Sequence, residues 1–240
     1  MEKLNILVLG DGLLGGEIVK QTGWQYLSRK LTGFNIHDFM CMQIPKDTNV
    51  IVNCIACTDT YSGDKKKHWD VNYTFVKTLI DYCNSSQIKL VHISTDYLYA
   101  NSVEDASEND VPVHCNNWYG YTKLLADGLV QLMMKDYLLI RGTHKPKLFP
   151  YDKAWIDQIG NFDYVDVIAS QIIKLINKGS RGVFNVGTDK KSMYSLALQT
   201  NPNVESVEAP INTPKNTTMN VSKMEKELND DSNSNTYIPE

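Results

Sequence analysis

The sequence predicts an α/β protein: a doubly wound parallel sheet followed by a small C-terminal lobe. Three observations carry that reading. Apolar runs alternate with helical patterns as far as Arg141. The first run feeds a glycine-rich turn that opens a helix. Beyond about Gly142 the rhythm is broken by Pro146, Pro150, Pro202, Pro210 and Pro214. Strands separated by helices pair in parallel, because each crossover returns the chain to the same edge, and the helices then cover both faces.

Taken in order, Leu4 to Leu9 is apolar at nearly every position, as a strand covered on both faces requires. A helical pattern runs from Leu13 to about Gln21. Trp24 to Leu27 is a short strand, and Phe34 to His37 a weaker third one. Asn49 to Ala56 is a strong fourth. His68 to Tyr82 is predicted helical, since Val71, Phe75, Leu79 and Tyr82 recur on one face. Ile88 to Ser94 is another buried strand and ends in Ser94-Thr95-Asp96. A polar segment with Pro112 leads to a helix from Tyr119 to Met134, and Tyr137 to Arg141 is a sixth strand. Asp166 to Ile176 is an amphipathic helix and Gly182 to Gly187 a last short strand. The polar end from Asp230 is expected to fray.

At 240 residues, 42% hydrophobic and 22% charged, the composition is that of an ordinary soluble globular protein. A net charge of -4 gives no electrostatic reason to expect nucleic acid or an anionic membrane as partner. No apolar run approaches the ~20 residues of a membrane span, and no secretory leader opens the chain, so a cytoplasmic location is expected. The five cysteines (Cys41, Cys54, Cys57, Cys83 and Cys115) form no framework of spacings and read as reduced thiols. Cys54 and Cys57 make a C-x-x-C, but no second Cys or His pair stands at metal spacing. Packing is the better reading, and no metal is expected.

Gly10-Asp11-Gly12-Leu13-Leu14-Gly15 is a G-x-G-x-x-G. Glycines there permit the tight turn, close approach of backbone to a pyrophosphate, and close helix packing, while the helix N-terminus supplies donors. The motif is weak alone and specific when it joins a buried N-terminal strand to a helix, as here. Residues 1–142 are therefore expected to form a Rossmann-type NAD(P)-binding domain. Segments 163–178 and 182–187 should pack back on it, leaving 143–162 and 188–240 as a small substrate lobe. An acidic residue at the end of the second strand would favour NAD. Ser28-Arg29-Lys30 stands there instead and suits a 2′-phosphate, so NADP(H) is preferred over NAD(H). The alternative is a pair of solvated surface cations.

Tyr119 and Lys123 lie one helical turn apart on one face. A phenol titrates near ~10, and a neighbouring ammonium favours the phenolate, so such a pair can exchange a proton with a carbonyl or alcohol oxygen. Thr95 ends a strand at the carboxyl edge of the sheet, where doubly wound folds bind ligands. The helix carrying Tyr119 starts near the same edge. Thr95, Tyr119 and Lys123 are thus the predicted catalytic groups. Taken singly, each has an ordinary explanation: a turn former and a solvated helix turn.

On these residues the chain resembles the extended short-chain dehydrogenase/reductases, and within them the dTDP-4-dehydrorhamnose reductase group. Val91 to Tyr99 is similar to that group's strand ending in S-T-D-Y-V-F. Glu108 to Pro112, ahead of Trp118 to Leu124, is similar to E-x-D-x-P followed by Y-G-x-(S/T)-K, and Asn216 to Met224 to N-S-x-L-x-x-x-K-L. The resemblance implies an NADPH-dependent reduction of a nucleotide-linked 4-keto sugar. It makes Tyr119 the proton donor, Lys123 its neighbour on the nicotinamide ribose, and Thr95 a hydrogen-bond partner of the ketone. Ala56, Cys57, Thr58 and Asn72 would lie along the cofactor, and Asp38 would meet the adenine. Asp96 and Tyr97 would face the sugar. Arg141 and Lys145, or Lys147, would meet the diphosphate, with a structural ion pair as the other reading of Arg141. Trp155 would stack on the base or belong to the lobe's core.

The chain departs from that pattern in having one residue fewer between its first two glycines, and Cys54-Ile55-Ala56-Cys57-Thr58 for A-A-A-x-T. The segment between Arg141 and Asp166 is compressed. Related bifunctional enzymes carry Cys where this chain has Tyr97, so epimerase activity is not expected. A dehydratase or epimerase of the same superfamily, and a non-catalytic dinucleotide-binding subunit like that of methionine adenosyltransferase, are the alternatives. The helices flanking the sheet offer a homodimer face.

Overall fold

A computed structural model describes residues 4–41, 44–112 and 116–230. Six strands, β1 (Ile6–Leu9), β2 (Gln25–Leu27), β3 (Val50–Asn53), β4 (Lys89–Ile93), β5 (Tyr137–Arg141) and β6 (Gly182–Asn185), form one sheet. Its order is β6-β5-β4-β3-β1-β2, and every pairing is parallel. The order reverses between β1 and β3, which makes the glycine turn after β1 the switch point where such sheets bind ligands.

The apolar runs explain why helices cover both faces. Side chains alternate along a strand, so Ile6, Val8, Val50, Val52, Leu138 and Ile140 reach one core, against helices α1 (Leu13–Thr22) and α6 (Val165–Asn177). Leu7, Leu9, Ile51, Leu90 and Leu139 reach the other, against α4 (Phe75–Ser86) and α5 (Trp118–Met133). The shorter helices are α2 (Arg29–Thr32), α3 (Lys65–Trp69), α7 (Met193–Leu198) and α8 (Ser222–Asn229). At the end of the chain α8 returns to the sheet domain, burying Met224 in the first core and laying the Lys223 ammonium 4.2 Å over the Phe184 ring.

Three expected elements differ. Phe34 to His37 forms no strand, and Ile36–Cys41 is a 3-10 helix. Left-handed Gly33 (φ +71°) turns the chain, and Phe34 and Phe39 enter the core edge-on to Phe75, at 6.2 and 5.7 Å. The strand expected to reach Ala56 stops at Asn53, whose side-chain oxygen accepts from the Ile55 N–H at 3.1 Å and bends the backbone. The helix expected from His68 begins at Lys65, because Asp64 caps it by accepting from the Lys67 N–H at 3.0 Å. It continues through a π-turn at Asp70–Thr74 into α4.

The lobe has its own small core of Phe149, Phe162, Tyr164, Met193 and Leu196. Short ladders hold it: Lys153–Trp155 beside Glu205–Val207, and Ile159–Gly160 between Lys191–Ser192 and Asn216–Thr217. Among the described residues no helix is long and apolar enough to cross a membrane.

Candidate active site

The glycine turn has the geometry its sequence calls for. Gly10 lies in the left-handed region (φ +94°) and donates its N–H to the Leu27 carbonyl at 2.8 Å. A side chain at Gly15 would place its Cβ 2.0 Å from the Gly10 carbonyl oxygen, so only glycine lets α1 sit this close to the turn. At Gly12 a Cβ would meet nothing within 4 Å, and no side chain caps the N-terminus of α1. Open backbone donors beside free space fit a dinucleotide pyrophosphate.

Beyond β2, the buried Ser28 hydroxyl accepts from the Leu31 N–H at 3.1 Å and caps α2, leaving Arg29 and Lys30 exposed on that helix. Asp38 is exposed and accepts from the Asn35 amide at 2.9 Å. After β3, Ala56 and Thr58 line the cavity beside the glycine turn. Cys57 is buried, and Asn72 holds its backbone on both sides, at 2.8 and 3.1 Å. Asn72 also donates to the Thr122 hydroxyl at 3.2 Å. It ties the β3 loop to α5 and is not among the residues lining the cavity.

Thr95, Tyr119 and Lys123 converge in that cavity, about 370 Å³, together with Gly12, Leu13 and Leu14. Asn117 starts α5 by accepting from the Gly120 N–H at 2.7 Å, which sets Tyr119 in the first turn at the sheet's carboxyl edge. The Thr95 hydroxyl lines the same cavity as the Tyr119 phenol, and donates to Asp96 at 3.3 Å. Lys123 is 1% exposed and donates to the Ile93 carbonyl at 2.5 Å. A second cavity of about 800 Å³ continues into the lobe, sharing Thr58, Tyr97, Thr143 and Lys145 and reaching Tyr151 and Trp155.

Residues 4–144 match the family described as the RmlD substrate binding domain, more than half of the chain. The chain belongs to that family. This places it in the dTDP-4-dehydrorhamnose reductase group of the extended short-chain dehydrogenase/reductases, a group of NAD(P)-dependent oxidoreductases. Its fold is similar to a hypothetical dTDP-4-dehydrorhamnose reductase from Sulfolobus tokodaii, at 21% identity and TM-score 0.78, over 93% of this chain and 94% of that one. A dTDP-4-dehydrorhamnose reductase from Clostridium acetobutylicum matches at 22% identity and TM-score 0.76, over 92% and 91%. One from Bacillus anthracis, solved in complex with NADP, matches at 20% and 0.76, over 91% and 90%. At these identities the likeness is one of fold.

The electrostatics of this reductase-family site correct one expectation. The Tyr119 phenol is not lowered by Lys123. Burial pushes it up to about 12, with Asp96 and Cys57 adding and the Thr95 hydrogen bond opposing. Lys123 is itself pulled down to about 8 by burial, against the pull of Asp127 and Cys54. One of its N–H groups is engaged by the Ile93 carbonyl. Asp96 is buried and raised, with hydrogen bonds from Thr143, Thr217 and Thr95 and the charge of Lys145 opposing. Lys145 is lowered by burial, with Asp96 opposing. The Tyr97 ring meets Tyr119 edge-on at 5.9 Å, and burial raises its phenol.

Arg141 is not available to a substrate. It is 2% exposed and grips Asp127 through Nε at 2.9 Å and Nη2 at 2.7 Å. The strand end points it into the protein, so the structural ion pair is the correct alternative. Lys147 pairs with Asp166 at the surface, 2.7 Å away. Trp155 packs against the lobe core and also lines the larger cavity.

Cys54 lines the first cavity, its thiol raised to about 12 by burial, and Cys54, Cys57 and Cys83 are free. Cys115 and the end beyond Asp230 lie outside the described residues. Among the described residues no group of His, Cys, Asp and Glu could hold a metal.

The sequence reading missed Asp127, His144, Thr143 and Thr217. Asp127 had a signal, since it stands one further turn along the face of Tyr119 and Lys123. His144 lines the first cavity, its imidazole pushed down to about 4 by burial and by Lys145. Nothing in the sequence singles out the threonines. Gly15→Ala should push the first turn of α1 off Gly10, at about 1–3 kcal/mol for overpacking. We expect weaker NADPH binding in fluorescence titration together with a lower urea midpoint.

Proposed function

We propose that this protein reduces the ketone of a nucleotide-linked 4-keto-6-deoxy sugar with NADPH. The observation that carries the reading is the meeting of Thr95, Tyr119 and Lys123 in one cavity, bounded by the glycine turn and opening into a larger one in the lobe. The NADP complex of the Bacillus anthracis structure and exposed Arg29 and Lys30 support NADP(H) over NAD(H). When bound, the reduced nicotinamide supplies the hydride.

The chain's own residues supply the rest. Burial keeps the Tyr119 phenol fully protonated at neutral pH, so it acts as a proton donor to the ketone oxygen. The Thr95 hydroxyl, already within reach of that phenol, hydrogen-bonds the same oxygen and orients it. As the proton leaves, the phenolate forms on the helical face that carries the buried Lys123 ammonium. Lys145 stands where the two cavities join and is the cation we assign to the diphosphate. Trp155 and Tyr151 offer faces to a base in the larger cavity. Asp38 on the adenine, Asp96 and Tyr97 on the sugar, a cytoplasmic location and a homodimer complete the proposal.

The test is to mix the protein with NADPH and dTDP-4-keto-6-deoxyglucose and follow the nicotinamide absorbance. Steady, substrate-dependent oxidation supports the reductase. Cofactor binding without turnover across a panel of keto-sugar nucleotides favours a partner module, and sugar interconversion without net NADPH consumption favours an epimerase.

Tyr119→Phe removes only the proton donor, so turnover should fall by about 10²–10⁴ with NADPH affinity nearly unchanged in a binding titration. Arg29→Asp should shift the NADPH to NADH preference toward NADH in kcat/KM. Lys123 is cationic below about 8 and loses its proton above, while Tyr119 stays protonated throughout. A pH series of kcat/KM should therefore be level on the acid side of Lys123 and fall as pH rises through about 8.

A further inference from the structure

We propose that Asp127, clamped by Arg141, is a positioning residue that holds Lys123 in its cationic form and fixes Ser94 beside Thr95. The proposal rests on the reductase reading for its consequence in catalysis, but its test does not.

Tyr119, Lys123 and Asp127 follow one another at intervals of one turn along a single face of α5. The Asp127 carboxylate is 1% exposed and fully occupied. Its Oδ2 accepts from the Ser94 hydroxyl at 2.9 Å and Arg141 Nε at 2.9 Å, and its Oδ1 from Arg141 Nη2 and the Gln131 amide, each at 2.7 Å. Arg141 is fixed in turn by the Tyr99 hydroxyl, which donates to Asn185 on β6 at 3.1 Å. The carboxylate thus has one position, set by β4, β5 and β6 together. Ser94 immediately precedes Thr95, so the same carboxylate anchors the strand end that presents the hydroxyl to Tyr119.

The surroundings of Lys123 leave the electrostatic task to Asp127. On its own helix stand Tyr119 and Asp127, on β3's end Cys54, on β4 His92, on β5 Arg141, and across the cavity His144 and Lys145. Tyr119 and Cys54 titrate at about 12, His144 at about 4, and burial takes His92 well below its ordinary range. All four are neutral near pH 7. Asp96 is engaged with Thr143, Thr217 and Lys145. Asp127 is then the carboxylate that opposes the desolvation of the Lys123 ammonium, and Arg141 holds it in place.

The experiment is a pH titration of the full chain carrying ¹³Cε-labelled lysine, followed by NMR, with the Lys123 signal assigned by its loss in Lys123→Arg. The wild-type midpoint is expected at about 8. Asp127→Asn should lower it by about one pH unit or more, the effect of removing a nearby opposite charge. That variant strands a buried guanidinium, which is itself destabilising. The double variant Asp127→Asn with Arg141→Met removes both charges, keeps a partner for Ser94, and should lower the midpoint as well. A wild-type midpoint in the double variant overturns the proposal, because a merely structural clamp would leave the lysine untouched. If no sugar nucleotide is turned over, the reductase reading fails, and the lysine titration still decides the role of Asp127.

Discussion

The site depends on how one face of α5 is fastened to the carboxyl edge of the sheet. Lys123 bonds the last carbonyl of β4, and Asp127 bonds the side chain of the next residue, Ser94. Arg141, at the end of β5, closes the arrangement from beneath. Remove that fastening and Tyr119 has no fixed distance to Thr95, whatever the residues themselves are. Buried charges are costly unless every lone pair and proton is matched, and here they are matched in sequence, from the Tyr99 hydroxyl through Arg141 and Asp127 to Ser94.

Burial sets the protonation states more strongly than proximity does. The phenol and the ammonium share a helical face, yet desolvation drives both toward their neutral forms, the phenol up to about 12 and the ammonium down to about 8. The result suits a reduction. In the proposed reduction, a proton donor that stays protonated until charge develops on the ketone oxygen would waste none of its population as phenolate, and the ammonium would stabilise the anion once formed. Buried Asp96, lining the larger cavity, feels the charge of half-buried Lys145 and is held by threonines from the sheet domain and from the lobe. The Asp96 group thereby ties the lobe to the strand end that carries Thr95.

The sequence by itself determined the sheet, the glycine turn and which hydroxyl, phenol and amine meet in the first cavity. Near-continuous apolar residues in Leu4 to Leu9 and Asn49 to Ala56 suit a strand covered on both faces, and Gly10 and Gly15 occupy positions where a Cβ would strike backbone or side chain. These are local demands, written in adjacent residues. Tertiary structure decided the rest. Phe34 read as the start of a strand but, with Phe39, found Phe75, and Asn72 found the Cys57 backbone rather than the cavity. Arg141 could read as a ligand for phosphate until Asp127, on another element, claimed it. Spacing fixes which residues share a face, whereas partner and protonation state are set by desolvation and by groups far away in the chain, and those exist only once the sheet has closed around them.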